Sequence, residues 1–377
     1  MESEPAARGN HELATAPKPE DLLLSPTRQR ESDEHGRNPA IDWIKAVGIL
    51  CVVFIHCLPS FLNPDATPLE TWLHAMTSFA VPGFLFASGF LYAEQRERPS
   101  WATMRRRLRR ILIPYLVFSV LTYVIPVSHF VTRTSWIDQH WLGSSLGPTW
   151  GSILDSLAFG SAAGPYYYVF VIFWLTLATP LIARIPRSLF PVFVLGSIAI
   201  GWGFAGLHWG LSSFFWWFRN PLHWLCFFAL GWWACLHHQH LIRWTVKSRM
   251  QWLVAIGALW SVIAVYLALR PTGAWEVLAR WLSIYLTIAL IFFASVGRER
   301  TPSSIRWLSD ASYSIYLSHI FFVNALLNLR AGTLSTNALA RLARFGLDWT
   351  GAMAGSVGIL VLSRRILGPH RTRTWLG

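Results

Sequence analysis

The sequence predicts an all-α polytopic membrane protein, a bundle of about ten transmembrane helices with both termini cytoplasmic. Three observations predict it. Of the 377 residues, 53% are hydrophobic and 14% are charged. A soluble domain carries roughly 25% charged residues, so a chain this poor in charge cannot cover a water-facing surface of its size. The apolar residues also come in long runs, such as 49–58, 81–93 and 284–296, where about 20 mostly apolar residues span a hydrocarbon core of ~30 Å. Finally, the basic residues sit between these runs and alternate in density from one connection to the next.

The elements follow in order. Residues 1–38 are polar, charged and proline-containing, and read as a disordered cytoplasmic tail with no cleavable signal peptide. Helices are expected near 41–59, 73–93, 111–128, 165–183, 188–205, 215–236, 251–269, 276–296, 309–328 and 346–364. Trp and Tyr gather near many of their ends, as in interfacial belts. Residues 39–366 thus form the membrane domain, and 367–377 a short basic cytoplasmic tail.

Loop charge sets the direction. With the N-terminus inside, the inside connections are 94–110, 184–187, 237–250, 297–308 and the tail after 364. They hold most of the arginines, including Arg105, Arg106, Arg107, Arg109 and Arg110. The outside connections hold Arg133, Arg270, Arg330, Arg341 and Arg344. An odd number of spans would put the 94–110 cluster and the C-terminal arginines on opposite sides, against this bias. The longest connection, 129–164, falls outside and carries Asp138, His140 and Asp155. It reads either as a cover over an outward-facing site or as a surface loop.

Composition excludes other classes. The net charge of +13 does not describe a nucleic-acid surface, because the basic residues lie between apolar runs rather than on one face of a soluble fold. Cys51, Cys57, Cys226 and Cys235 lie in apolar runs and form no CxxC pair or zinc spacing. The HHQH at 237–240 lies at a helix end, where histidine is favoured without a metal. No metal is expected.

The first helix carries the chemistry. Lys45 and His56 are eleven positions apart, about 1100° of helical rotation, so both side chains share a face and lie ~16 Å apart along the axis. Asp42, one turn before Lys45, falls on the same face. This spacing puts Lys45 near the cytoplasmic edge and His56 near the bilayer middle. Ionisable groups at that depth usually face a cavity or the bundle interior. A neutral imidazole there suits a general base. The competing readings are a histidine hydrogen-bonded between helices and an Asp42–Lys45 interfacial ion pair.

These residues resemble the first helix of the acyltransferase 3 family of membrane O-acyltransferases. The family carries an Arg, ten residues, then a His; here Lys45 stands for the Arg and His56 for the His. Further segments resemble the family in order: VPGFLFASGFLYA at 81–93, RRRLRRILIPYL at 105–116, GPYYYVFVIFWLTLATPLI at 164–182 and ASYSIYLSHIFF at 311–322. The resemblance implies transfer of an acyl group, usually acetyl, from cytoplasmic acyl-CoA to a hydroxyl. Acceptors in the family are commonly sugars of exopolysaccharide, lipopolysaccharide or similar envelope glycans, and some members acylate small molecules such as macrolides. The implied partners are acetyl-CoA as donor substrate, a glycan acceptor, the lipid bilayer of the bacterial inner membrane and polysaccharide assembly proteins.

The resemblance assigns His56 as general base or transient acyl carrier, and the sequence does not separate the two roles. Lys45 is expected to bind the CoA phosphates or to hold Asp42, as a point charge rather than the fork of an Arg. Arg106 and Arg109 are the expected docking residues for the CoA nucleotide, although topogenesis alone accounts for the cluster. Arg219, Tyr316, His319 and Ser88 are the expected acceptor-binding residues, each with a plain packing alternative. Two rival functions stand beside the glycan reading: a glycan or lipid-linked sugar flippase, and a small-molecule O-acyltransferase.

Overall fold

The computed structural model describes residues 37–58, 67–94, 101–124, 154, 157–160, 162–207, 218–269, 273–329 and 338–377. Most of the N-terminal tail and most of the 129–164 connection, with Asp138, His140 and Asp155, lie outside them.

Eleven α-helices of ten or more residues run through the described part. They are α1 (Pro39–Cys57), α2 (Pro68–Thr77), α3 (Ala80–Glu94), α4 (Trp101–Val124), α5 (Tyr167–Ile182), α6 (Phe190–Leu207), α7 (Pro221–Leu236), α8 (His238–Ala268), α9 (Ala274–Ser295), α10 (Ser303–Leu329) and α11 (Ala338–Trp375). A 3-10 turn, Gly164–Tyr166, leads into α5. Six helical stretches among the described residues are long and apolar enough to cross a membrane, with α2 and α3 counted as one stretch; α6 and α7 are shorter apolar helices. The chain is an all-helical, multi-pass integral membrane protein.

Several boundaries differ from the sequence reading for identifiable reasons. The second span divides at Ser78–Phe79. Here the Ser78 hydroxyl bonds to the His74 carbonyl at 2.6 Å and that of Thr77 to the Leu73 carbonyl at 2.8 Å, the local competition that Ser and Thr offer a helix. α2 starts with a capping box: Glu70 N–H donates to Thr67 Oγ1 at 3.2 Å, and Thr67 N–H donates to Glu70 Oε2 at 2.7 Å. α4 begins at Trp101 and takes in Arg105, Arg106, Arg107, Arg109 and Arg110, because Arg is a good helix former. α8 starts at His238, with a kink at Ser248. Residues 367–377 continue as helix to Trp375 beyond a break at Gly368 (φ 77°). Leu376 packs on the core, and Ser314 donates to the Gly377 carbonyl at 2.5 Å.

Central and peripheral helices are distinguishable by what they bury. α1 buries Ala40, Ile41, Ile44, Ile49, Val52 and Val53 almost completely. α3 and α7 cross closely. A Cβ on Gly89 would overlap the Phe228 carbonyl, and one on Gly231 would overlap the Phe86 carbonyl. Only glycine at both positions lets the two backbones approach so closely. By contrast, α6 exposes Val192, Leu195 and Ile200, and α8 exposes Val254, Leu259, Val262 and Val265. Such large apolar faces suit lipid rather than water.

Candidate functional site

α10 lies along α1, and two contacts fix their parallel direction. Near the start of both helices, Ser309 Oγ donates to Asp42 Oδ1 at 2.6 Å, with both residues buried. At the far end, the His56 and His319 rings face each other with centroids 5.3 Å apart and planes tilted by 37°. α1 stops at Cys57, so His56 lies in its last turn. Lys45 is half-buried, one turn beyond Asp42. Of the three residues that the spacing put on one face, Asp42 and His56 therefore both meet α10.

His319 is fully buried. Its Nδ1 lies 2.6 Å from the Tyr316 carbonyl oxygen and 3.2 Å from that of Ile315. Its Nε2 is buried with no hydrogen-bond partner among the described residues. The neighbourhood is tyrosine-rich. Tyr166 donates to the Leu317 carbonyl at 2.7 Å, and Tyr316 donates to the Pro165 carbonyl. Tyr168 meets Tyr316 edge-on at 5.3 Å, and Tyr313 donates to the Ile111 carbonyl at 2.7 Å. The start of α5 and α4 are thus tied to α10 by phenol-to-carbonyl bonds, which satisfy buried polar groups and hold His319 in place.

The other expected site residues are distributed differently. The Tyr316 hydroxyl is committed to Pro165. Ser88 donates to the Phe84 carbonyl in its own helix at 2.8 Å. Arg219 is 6% exposed and holds the carbonyls of Phe159 and Gly160 at 2.9 and 3.4 Å. These three polar groups are engaged by protein in this structure. Arg106 and Arg109 are exposed at the start of α4. His237 caps the end of α7, its Nδ1 lying 3.0 Å from the Trp233 carbonyl oxygen.

The structure adds residues that sequence reasoning did not single out. Arg107, half-buried, lies 3.9 Å over the Tyr92 ring, and the Tyr92 hydroxyl meets Thr176 Oγ1 at 2.7 Å. With Thr103, Met104 and Thr179 they line a small recess. The signal was the position of Arg107 one helical turn from Thr103; Arg107 is half-buried while Arg105, Arg106, Arg109 and Arg110 are exposed. His74 of α2 lies within electrostatic reach of His56 and Arg280. Around it, Glu70 pairs with Arg341 and Glu276 with Arg280, each at 2.8 Å. The Glu70 and His74 spacing marks one helix face, but only once residues 68–77 are seen to be helical.

Residues 38–363 match the profile of the acyltransferase domain named for acyltransferase 3. The chain belongs to the acyltransferase 3 family. No curated protein and no solved structure gives a significant match to it. Membership makes the chain a membrane acyltransferase, with an acyl donor and an acceptor as its partners.

Proposed function

We propose that this acyltransferase moves an acetyl group from cytoplasmic acetyl-CoA to a hydroxyl of an envelope glycan, an exopolysaccharide, a lipopolysaccharide or a lipid-linked precursor, in the bacterial inner membrane. The proposed membrane domain covers 39–366, with both termini cytoplasmic. The observation that carries the reading is the position of His56. It sits at the end of α1 against the buried His319 ring, with Lys45 and Asp42 further back along the same helix.

In this reading CoA docks by its phosphates at the start of α4, on Arg106 and Arg109, with Lys45 as a further positive charge. The pantetheine arm runs along α1. The axial distance of ~16 Å from Lys45 to His56 is of the order of that arm's length. His56 takes the proton of the acceptor hydroxyl as the oxygen attacks the thioester carbonyl. The O–C bond forms, the C–S bond breaks, and the thiolate leaves with the proton from His56 as free CoA. The carbonyl end of the α1 dipole favours the positive charge that His56 carries in between.

The test is the acetylation state of surface glycans, read by NMR in a strain lacking this chain. The O-acetyl resonances should vanish and return with the wild-type chain. Unchanged resonances in the lacking strain would sink the glycan assignment.

A further inference from the structure

We infer that His319 is a positioning residue for His56, so that the two imidazoles act as a dyad; this rests on the proposed acyl transfer at His56. A carbonyl oxygen only accepts, so the short contact from His319 Nδ1 to the Tyr316 oxygen (2.6 Å) requires the proton on Nδ1. In the neutral ring that fixes the tautomer and leaves a lone pair on Nε2. This Nε2 is buried without a hydrogen-bond partner among the described residues. A buried acceptor in that state has lost its water without gaining a partner, so a site that retains it has a use for it.

The His56 ring, centroids 5.3 Å away, is the neighbour that can meet it. Two imidazoles joined by a linear hydrogen bond of about 3 Å have centroids about this far apart, so a rotation of the His56 ring, without any approach of the helices, completes the bond, and hydrogen bonds at active sites commonly align when substrate binds. His56 then donates one ring N–H to His319 Nε2, which points its other nitrogen, the lone pair, at the acceptor hydroxyl. When His56 receives the acceptor proton it becomes an imidazolium, and His319 Nε2 accepts from the more acidic N–H. When the proton leaves with the thiolate, both rings return to their starting tautomers. His319 gains and loses no proton. The Tyr166–Leu317 and Tyr316–Pro165 bonds in the turn before it hold the ring at the height of His56.

The test compares His319→Gln with His319→Leu. Gln presents an amide oxygen as acceptor in place of Nε2, and Leu fills the space without one. Full-length chain in native membranes is given acetyl-CoA, and thiol release is followed. The dyad predicts that His319→Leu lowers kcat roughly 100-fold with KM for acetyl-CoA little changed. His319→Gln should recover most of that loss, and His319→Leu should cause no further loss in a His56→Ala background. Equal rates for Gln and Leu, or losses that multiply with His56→Ala, would overturn the dyad and leave His319 a packing residue. Absence of thiol release from the wild-type chain, with acetyl-CoA as donor, would instead overturn the acyl-transfer reading and the dyad's catalytic role with it.

Discussion

Tyr316 illustrates how a polar side chain in the right motif is used by the fold. Its hydroxyl satisfies the Pro165 carbonyl at the entry to α5. Tyr316→Phe removes that bond and leaves the Pro165 oxygen with the Tyr167 backbone N–H alone, so it should lower stability by about 1 kcal/mol. A thermal melt in detergent checks this, and an unchanged melting temperature would show the bond to be dispensable. Asp42 was legible as a member of the Lys45–His56 face, because helical rotation is arithmetic. Its partner Ser309 was not legible, because the pair joins the first helix to the tenth and no local pattern encodes that meeting. The same holds for His56 and His319. Each was visible in its own motif, and only packing brings the rings together. The arginines divide similarly. Arg249 and Arg298 were countable as loop charge, yet they cap the end of α9 through the carbonyls of Val296 at 2.6 Å and Ala294 at 2.9 Å.

At the scale of elements, ten helical stretches were readable from apolar runs, and their order matches the structure. What the runs missed were the pieces that apolarity does not mark. The polar start of α4 continues the helix through its arginines, and α2 is a separate short helix. α2 is held at its first turn by Glu70, which both caps the helix and pairs with Arg341 while 3% exposed. Glu70→Ala removes a charged cap and takes the Glu70 carboxylate away from Arg341, and should cost roughly 2–3 kcal/mol. The crossing of α3 and α7 rests on two glycines. Gly231→Leu would drive its side chain into the Phe86 backbone, so the full chain should fail to accumulate as a monodisperse protein, by size-exclusion profile. A normal profile for that variant would contradict the crossing.

For the molecule as a whole, the division between buried and lipid-facing helices explains the composition. α1, α3, α7 and α10 bury their side chains in one apolar core that holds the His56–His319 pair, while α6, α8 and α11 turn large apolar residues outward. The direction of threading proposed from the charge bias has a direct check. Cysteine placed at Arg106 should react with an impermeant thiol reagent from the cytoplasmic side, and cysteine at Leu339, which is 75% exposed, from the opposite side. The native cysteines are buried or half-buried, so background labelling should be low. Labelling of both positions from one side would contradict the proposed topology.

The central claim, that acyl transfer runs through His56, is tested most directly by thiol release from acetyl-CoA in membranes carrying the wild-type chain or His56→Ala at equal abundance. The account predicts a loss of at least about 100-fold in the variant, the scale of a removed general base. Release from His56→Ala at the wild-type rate would contradict it.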